Sequence, residues 1–410
     1  MRTNRQIRLA IYRKKFGAVL IAVQIAVTLA ILSNSLTLIL DRLSWSSRST
    51  GIDEQNILFA YAEKAAPADS VSAEMTSDLG VLRAIPGVVD AHPTNSYPLQ
   101  GGGWSMTVGL TPSQKTPSAM TSYYFGDDHA LRTFGLKLVA GRNFSPTEIV
   151  DRTSNSFPPA SGFIVTRALA DKLFPAGAAL GKSIYIENAA VPTPIIGIVD
   201  RLQGPFVSTS GYFLNFAEYS VIAPYRALDG YTTFAVRAVP GQLNQVMKDV
   251  EKTLGSMHGG RSVSVQSMND VRKQAFRRDR GLAWVLGAVT ATLVAVTAFG
   301  MFGLTSYWVS QRRRQIGIRR ALGATRRGIL RQFQRENFVI ASCGALAGIA
   351  LSIALNLWLV GHFEMIRIHA VQVGGAAAAM LLLGQIAVYW PARHAASIPP
   401  ALAVRGAQLR

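Results

Sequence analysis

Gly181-Lys182-Ser183 is the part of this 410-residue sequence that comes nearest to a nucleotide site. A phosphate loop needs Gly, four residues, then Gly-Lys-Ser/Thr, so that successive backbone N–H groups can wrap the phosphates. Ala176 stands where the first glycine belongs, so the segment reads as a turn into a strand over Ser183–Ile186. Asp127-Asp128-His129 offers metal-ligand types, but no second cluster accompanies it, and a solvated loop accounts for it better. No Gly-x-Ser-x-Gly elbow is present to expose a nucleophilic serine, which removes support for a hydrolase. The sequence therefore predicts a non-catalytic chain, with no catalytic, cofactor-binding or metal-binding residue of its own.

The net charge of +19 would raise nucleic acid as a partner, but its distribution argues against that. Residues 1–40 carry six Lys/Arg and no acid, whereas residues 41–280 carry 23 bases against 21 acids. Residues 281–410 carry 13 bases and two acids, Glu336 and Glu364. The excess thus flanks apolar runs, which is the positive-inside pattern of a membrane protein. Four runs, 17–40, 282–309, 337–360 and 371–390, reach the length of a bilayer span and contain no Asp, Glu, Lys, Arg or His. Uncharged spans argue against a proton-driven transporter, an acid-lined channel or a voltage sensor. The run from Phe16 to Leu40 is too long for a signal-peptide core and has no Ala-x-Ala-like site after it, so it reads as a retained anchor. The single cysteine, Cys343, lies in an apolar run and excludes a disulfide within the chain.

These features predict a membrane protein of four transmembrane α-helices with a large mixed α/β extracytoplasmic domain between spans one and two. The segments are a cytoplasmic N-terminal piece (1–16), span one (17–40), the external domain with a helical stalk (41–281), span two (282–309), a cytoplasmic loop (310–336), spans three and four (337–360 and 371–390), and a cytoplasmic tail (391–410). Both termini are expected in the cytoplasm, beside the basic flanks. Arg272, Lys273, Arg277, Arg278 and Arg280 then fall outside, as long translocated domains tolerate. Within the external domain, Phe163–Val165 and Ile195–Val199 read as buried strands. Residues 166–174, capped by Thr166, and 242–254, with Val246, Val250 and Leu254 at four-residue spacing, read as helices. Stretches 92–118 and 153–162 read as loops, and 268–281 as a polar helix running straight into span two.

The loop after span two is QRRRQIGIRRALGATRRGILRQFQREN, 311–337. Ile318, Leu322, Thr325 and Ile329 follow helical spacing, with arginines on the remaining positions. Such a helix either lies on anionic lipid, with its arginines snorkelling, or docks, broken by Gly323, into a groove on a cytoplasmic partner. Gly344 and Gly348 form a GxxxG in span three, suited to close helix approach within the chain or across a dimer.

The run IGIRRALGATRRGILRQF, the Gly/Ala-rich span after it and the tail PARHAASIPPALAVR resemble the FtsX-type permease domain of MacB-like (type VII) ABC transporters. YYFGDDHALRTFGLKLVAGRNFSPTE, FIVTRALADKLFPAGAALGKSIYI and PIIGIVD resemble the periplasmic core domain of the same family, and FGAVLIAVQIAVTLAILSNSL resembles its first span. The resemblance implies a cytoplasmic (inner) membrane protein with two permease chains, alike or different, and two cytoplasmic ABC ATPase subunits that hold ATP and Mg. The coupling helix would be carried by Gln315, Ile316, Gly317, Ile318, Arg319, Arg320, Ala321, Leu322, Gly323 and Ala324. Gln315 departs from the glutamate usual at that place. ATP-driven motion would reshape the external domain and move substrate outside the bilayer, with a possible periplasmic adaptor or outer-membrane channel. A lipoprotein-releasing permease and a regulatory transducer acting on a cell-wall enzyme or adaptor fit the same layout.

Overall fold

The computed structural model describes residues 2–63, 70–152, 158–187, 189, 191–207, 215–228, 231–258, 261–363 and 367–397; at 2–16, 231, 313, 314, 320, 363 and 395–397 only the backbone is described. The chain divides into two compact units: Met1–Trp45 with Asp279–Arg410, and Ser46–Arg278.

Among its described residues the second unit contains three sheets, two of them in a stretch of chain inserted between strands of the first. Strands β1 (Ile57–Glu63), β2 (Val88–Thr94), β12 (Tyr231–Ala238) and β13 (Val263–Ser267) make an antiparallel sheet in the order β13-β1-β12-β2. Helix α2 (Val71–Ala84) joins β1 to β2, and α5 (Leu243–Ser256) joins β12 to β13. That is a ferredoxin-like double βαβ whose middle connection has been opened to admit another domain. Val246, Val250 and Leu254 of α5 are fully buried, as four-residue spacing requires of a helix lying on a sheet.

The insertion holds β3 (Ser105–Gly109), β4 (Ala119–Phe125), β5 (Leu138–Gly141), β7 (Phe163–Thr166), β8 (Ser183–Ile186), β9 (Thr193–Val199) and β10 (Ser220–Ala223), in the order β5-β9-β7-β10-β4-β3-β8. Strand β8 pairs with β3 through Ile186 and with β9 through Ile184, so six strands complete a circuit of pairings. A small parallel pair, β6 (Val150–Arg152) and β11 (Tyr225–Ala227), lies beside it. Short helices α3 (Ala130–Phe134) and α4 (Arg167–Leu173) follow β4 and β7.

Side-chain alternation along the strands distributes three cores. In β1, Ile57 and Phe59 enter a core shared with Tyr124, Ile164 and Ile222 of the insertion, while Leu58, Ala60 and Ala62 enter the core under α2 and α5. In β4, Tyr123 and Phe125 enter a third core with Val165, Val221 and Leu169, and Tyr124 turns the other way. The period of two thus lets one strand seal two cores at once.

Several expectations need correction. Thr166 precedes α4 but does not cap it; its hydroxyl donates to the Glu218 carbonyl (2.9 Å) and accepts the Ser220 N–H (3.1 Å), so tertiary bonds to β10 win over the local cap. Ser105–Gly109, inside the presumed 92–118 loop, is strand β3, because cross-strand pairing to β4 outweighs a local Pro/Gly/Ser-rich composition. Residues 153–157 of the second loop lie outside the described residues. The polar helix does not run on into the span: α6 (Met268–Ala275) stops at Phe276, buried in a core, and α7 (Arg277–Gln311) starts afresh. Part of the positive charge at 272–280 is paired: Arg272 of α6 binds both Glu54 carboxylate oxygens (2.7 and 2.6 Å).

The other unit consists of α1 (Arg2–Ser46), α7, α8 (Arg313–Ala321), α9 (Arg326–Phe363) and α10 (Ala370–Ser397). Four of these, α1, α7, α9 and α10, are long and apolar enough to cross a membrane. Helix α10 continues past position 390, and residues 398–410, including the whole PPALAVR stretch of the tail, lie outside the described residues. Helices α1 and α9 approach closely at the GxxxG. A Cβ on Gly344 would meet the Ala22 carbonyl oxygen at 2.8 Å, and one on Gly348 would meet Ala26 at 3.0 Å. Both glycines therefore pack within the chain. Around them Ile21, Ile25, Leu29, Met301, Ala341, Ala345 and Met380 form an apolar core.

One to two turns further along, polar side chains replace apolar packing. Ser33 bonds Ser352 (2.6 Å), Asn356 donates to Asn34 (3.2 Å), and Thr37 donates to Gln372 of α10 (2.7 Å). Uncharged hydrogen bonds of this type hold membrane helices at about 0.6 kcal/mol apiece and fix their rotation.

Candidate coupling surface

Helix α8 owes its limits to three residues. Gly323 adopts φ +95°, a conformation closed to most side chains, and the Ala324 N–H reaches back to the Arg319 carbonyl (3.0 Å). This six-to-one bond is the mark of a glycine-terminated helix. Two residues on, the Thr325 hydroxyl accepts the Gly328 N–H (3.1 Å) and so caps the start of α9. Leu-Gly-Ala-Thr is therefore a stop followed by a start. The single stripe through Ile318, Leu322, Thr325 and Ile329 does not exist, because a left-handed glycine and a new cap intervene before Ile329.

The residues of the stripe separate accordingly. Ile329 is buried with Val309 of α7, Ile316 of α8, Phe333 of α9, and Val388 and Ala392 of α10. Ile318 is 45% exposed and Leu322 83% exposed. Ile316, which periodicity did not single out, is the inward anchor of α8, and Gly317 is buried beside it. Gln315, Arg319, Ala321, Gly323 and Ala324 are exposed, and the Arg320 side chain lies outside the described residues. Helix α8 thus has Ile316 plugged into its own bundle and Ile318 presented outward, with Leu322 outward just past its end, and arginines 319, 326 and 327, within five residues in the sequence, are exposed too. Gln315 lines two small cavities, of about 220 and 260 Å³, both bounded by Arg312 and Glu336.

The other sequence candidates resolve into structural roles. The Gly181 N–H donates to the Ile195 carbonyl (2.8 Å) and the Lys182 N–H to the Ala179 carbonyl (3.1 Å), so those donors are already used in the turn before β8. Asp127-Asp128-His129 is not a solvated loop. Asp127 is buried, 3.4 Å from the Arg83 guanidinium, and the His129 Nδ1 lies 2.8 Å from buried Asp90. The one triad with metal-ligand spacing among the described residues is Glu74, Asp78 and His258. Arg261 already neutralises it, at 2.9 Å from Glu74 and 2.7 Å from Asp78, with its own side chain buried.

Burial pushes the Asp127 carboxyl up to about 6, against the opposing pull of Arg83 and the His129 N–H. The ordinary value for aspartate is about 4. A raised folded-state value means that the folded domain holds this proton more tightly than the unfolded chain does. The stabilising contribution is complete below about pH 4 and is lost as pH rises through about 6. Asp127→Asn should therefore remove a stability decline on the order of 2 kcal/mol between those limits. Urea midpoints of a fragment spanning Ser46–Arg278, taken from pH 4 to 7, should differ in slope between wild type and variant. Parallel curves would contradict the assignment.

A family model of the MacB-like periplasmic core domain matches residues 18–253, and one of the FtsX-like permease C-terminal domain matches 287–400. The chain belongs to the MacB-like permease family. It is an ABC transporter permease and a multi-pass protein of the inner membrane, and its α/β domain is of the periplasmic type. The pyoverdine export ATP-binding/permease protein PvdT of Pseudomonas syringae pv. tomato is 29% identical over 290 residues, covering 69% of this chain and 43% of PvdT. The macrolide export ATP-binding/permease protein MacB of Bradyrhizobium diazoefficiens is 28% identical over 240 residues, covering 55% of this chain and 35% of its own length. The chain thus spans less than half the length of these relatives. The periplasmic region of MacB from Actinobacillus actinomycetemcomitans aligns with 55% of this chain at 16% identity and a TM-score of 0.35.

Proposed function

We propose that this MacB-like permease transmits force from a cytoplasmic ABC ATPase to its periplasmic-type domain, for export or extraction of a substrate on the outer side of the membrane. The observation that carries the proposal is the two-sided α8, with Ile316 seated inside the bundle and Ile318 and Leu322 turned outward. An exposed leucine beside arginines suits a groove with an apolar floor and an acidic rim. ATP and Mg are bound by the ATPase, and this chain contributes no catalytic group. Residues 315–324 form the ATPase contact, a second permease chain completes the assembly, and lipid covers the outer faces of the four spans. Both chain termini lie in the cytoplasm.

Two experiments test this. Purification of the chain from its host with co-expressed neighbouring gene products should retain an ABC ATPase; an assembly that retains none contradicts the proposal. In a Cys343→Ser background, cysteine at Ser70 should react with an impermeant thiol reagent in spheroplasts, and cysteine at Ser310 should not. Both positions are exposed. Labelling at Ser310 with none at Ser70 would invert the orientation.

A further inference from the structure

Glu336 is the only acidic residue between Asp279 and Glu364, and nine arginines precede it in the 312–335 loop. Its two oxygens are divided between the α7–α8 elbow and its own helix, α9. Oε2 accepts from Arg312 Nη1 at 2.7 Å, and Oε1 accepts from Gln332 Nε2 at 3.1 Å. The Gln332 Oε1 in turn accepts from Arg319 Nη1 at 2.7 Å. Arg312 is the elbow between α7 and α8, where its own N–H reaches back to Trp308 and Val309 and its carbonyl accepts the Ile316 N–H (2.9 Å). Arg319 lies at the far end of α8. Gln332 and Glu336 are neighbours one turn apart on α9.

The chain Arg312–Glu336–Gln332–Arg319 therefore fastens both ends of α8 to α9, while Ile316 fastens its middle. We propose that Glu336 is a positioning residue that locks α8 to α9, so that load applied at Leu322 moves the third span as one body with the coupling helix. The proposal rests on the force-transmission reading above. A single half-exposed ion pair would contribute little to such a lock. Three linked bonds that share one carboxylate and one amide behave differently, because each orders the partner of the next. The lock also accommodates Gln315, since an uncharged side chain at that place leaves Arg312 to Glu336 alone.

The test measures the lock without the ATPase, so its outcome is separable from that of the docking reading. Nitroxide labels at Leu322 and at Val339 of α9, in a Cys343→Ser background in lipid nanodiscs, report the distance between the turn and the third span. The expected wild-type result is one narrow distance. Glu336→Gln, which keeps the shape and removes the charge, should lose it, and so should Arg312→Gln. The two together should do no more than Glu336→Gln alone, since the bond that Arg312→Gln removes is already lost with the carboxylate. Arg319→Gln, at an exposed position, cuts only the far bond and should broaden the distance less. A narrow wild-type distance that survives Glu336→Gln would overturn the proposal, as would fully additive losses in the double variant.

Discussion

Leu322→Asp is expected to release the ATPase from the permease while leaving insertion and folding intact. Leu322 is 83% exposed and lies just past the end of α8, so its side chain packs little within the chain. Aspartate there costs the isolated chain little. In a docked complex it would bury an unpaired charge, at about 3–5 kcal/mol, which corresponds to a loss in affinity of at least about a hundredfold. Ile318→Asp should act in the same direction and less strongly, since Ile318 is only 45% exposed in the free chain. Arg326→Gln and Arg327→Gln should do much less, because exposed ion pairs contribute little. A helix that merely lies on anionic lipid predicts the reverse order, with the arginines dominant. Co-purification of the ATPase with each variant, at matched expression, separates the two.

Gly344→Leu is expected to prevent stable packing of the membrane unit. Even a methyl group at this position would come within 2.8 Å of the Ala22 carbonyl, a backbone atom with no rotamer to retreat into. Gly344→Ala should therefore cost about 1–3 kcal/mol, the usual range for overpacking. Leucine should wedge α9 away from α1 and pull Ser352 off Ser33, one turn beyond Gly348, adding the loss of a buried polar contact. Gly348→Ala meets Ala26 at 3.0 Å and should be milder. Trp284→Ala on α7, where the side chain is 81% exposed, is the control and should change nothing. Thermal unfolding in detergent, followed by size-exclusion chromatography after heating, ranks these variants. Equal midpoints for Gly344→Leu and Trp284→Ala would contradict the α1–α9 contact.

The membrane architecture was legible because it depends on local composition. Runs without a charge, and arginines at their ends, carry the information within some 20 residues of themselves. Helix α5 was legible for the same reason, since Val246, Val250 and Leu254 repeat within one element. The division of the periplasmic-type domain was not. Its first sheet pairs β1 with β12, about 170 residues later in the chain, and no local period encodes that. Thr166 shows a subtler limit, because a hydroxyl that could cap a helix locally was taken by Glu218 and Ser220 instead. At the coupling surface Gly323 was legible as a break in the helix, whereas Thr325 as the cap of a new helix was outweighed by periodicity, which put it on the apolar stripe. Gly323 as a helix stop and Thr325 as a cap lie side by side in Leu-Gly-Ala-Thr, and together they divide a stripe that spacing alone would run through. Ile316 as the inward anchor could be seen only once α7, α9 and α10 were brought around it. The bonds from Glu336 to Arg312 and Gln332 likewise depend on two helices meeting, although a lone acid after nine arginines was a visible hint.

Force transmission through α8 requires that Leu322 touch an ATPase. A photoreactive phenylalanine analogue placed at position 322 in cells tests it in the native membrane, without purification or added partners. The expected result is a covalent adduct with an ABC ATPase, identified by mass spectrometry and altered in yield when a non-hydrolysable ATP analogue is added to the isolated membranes. Adducts with lipid alone, from a correctly inserted and folded chain, would contradict it.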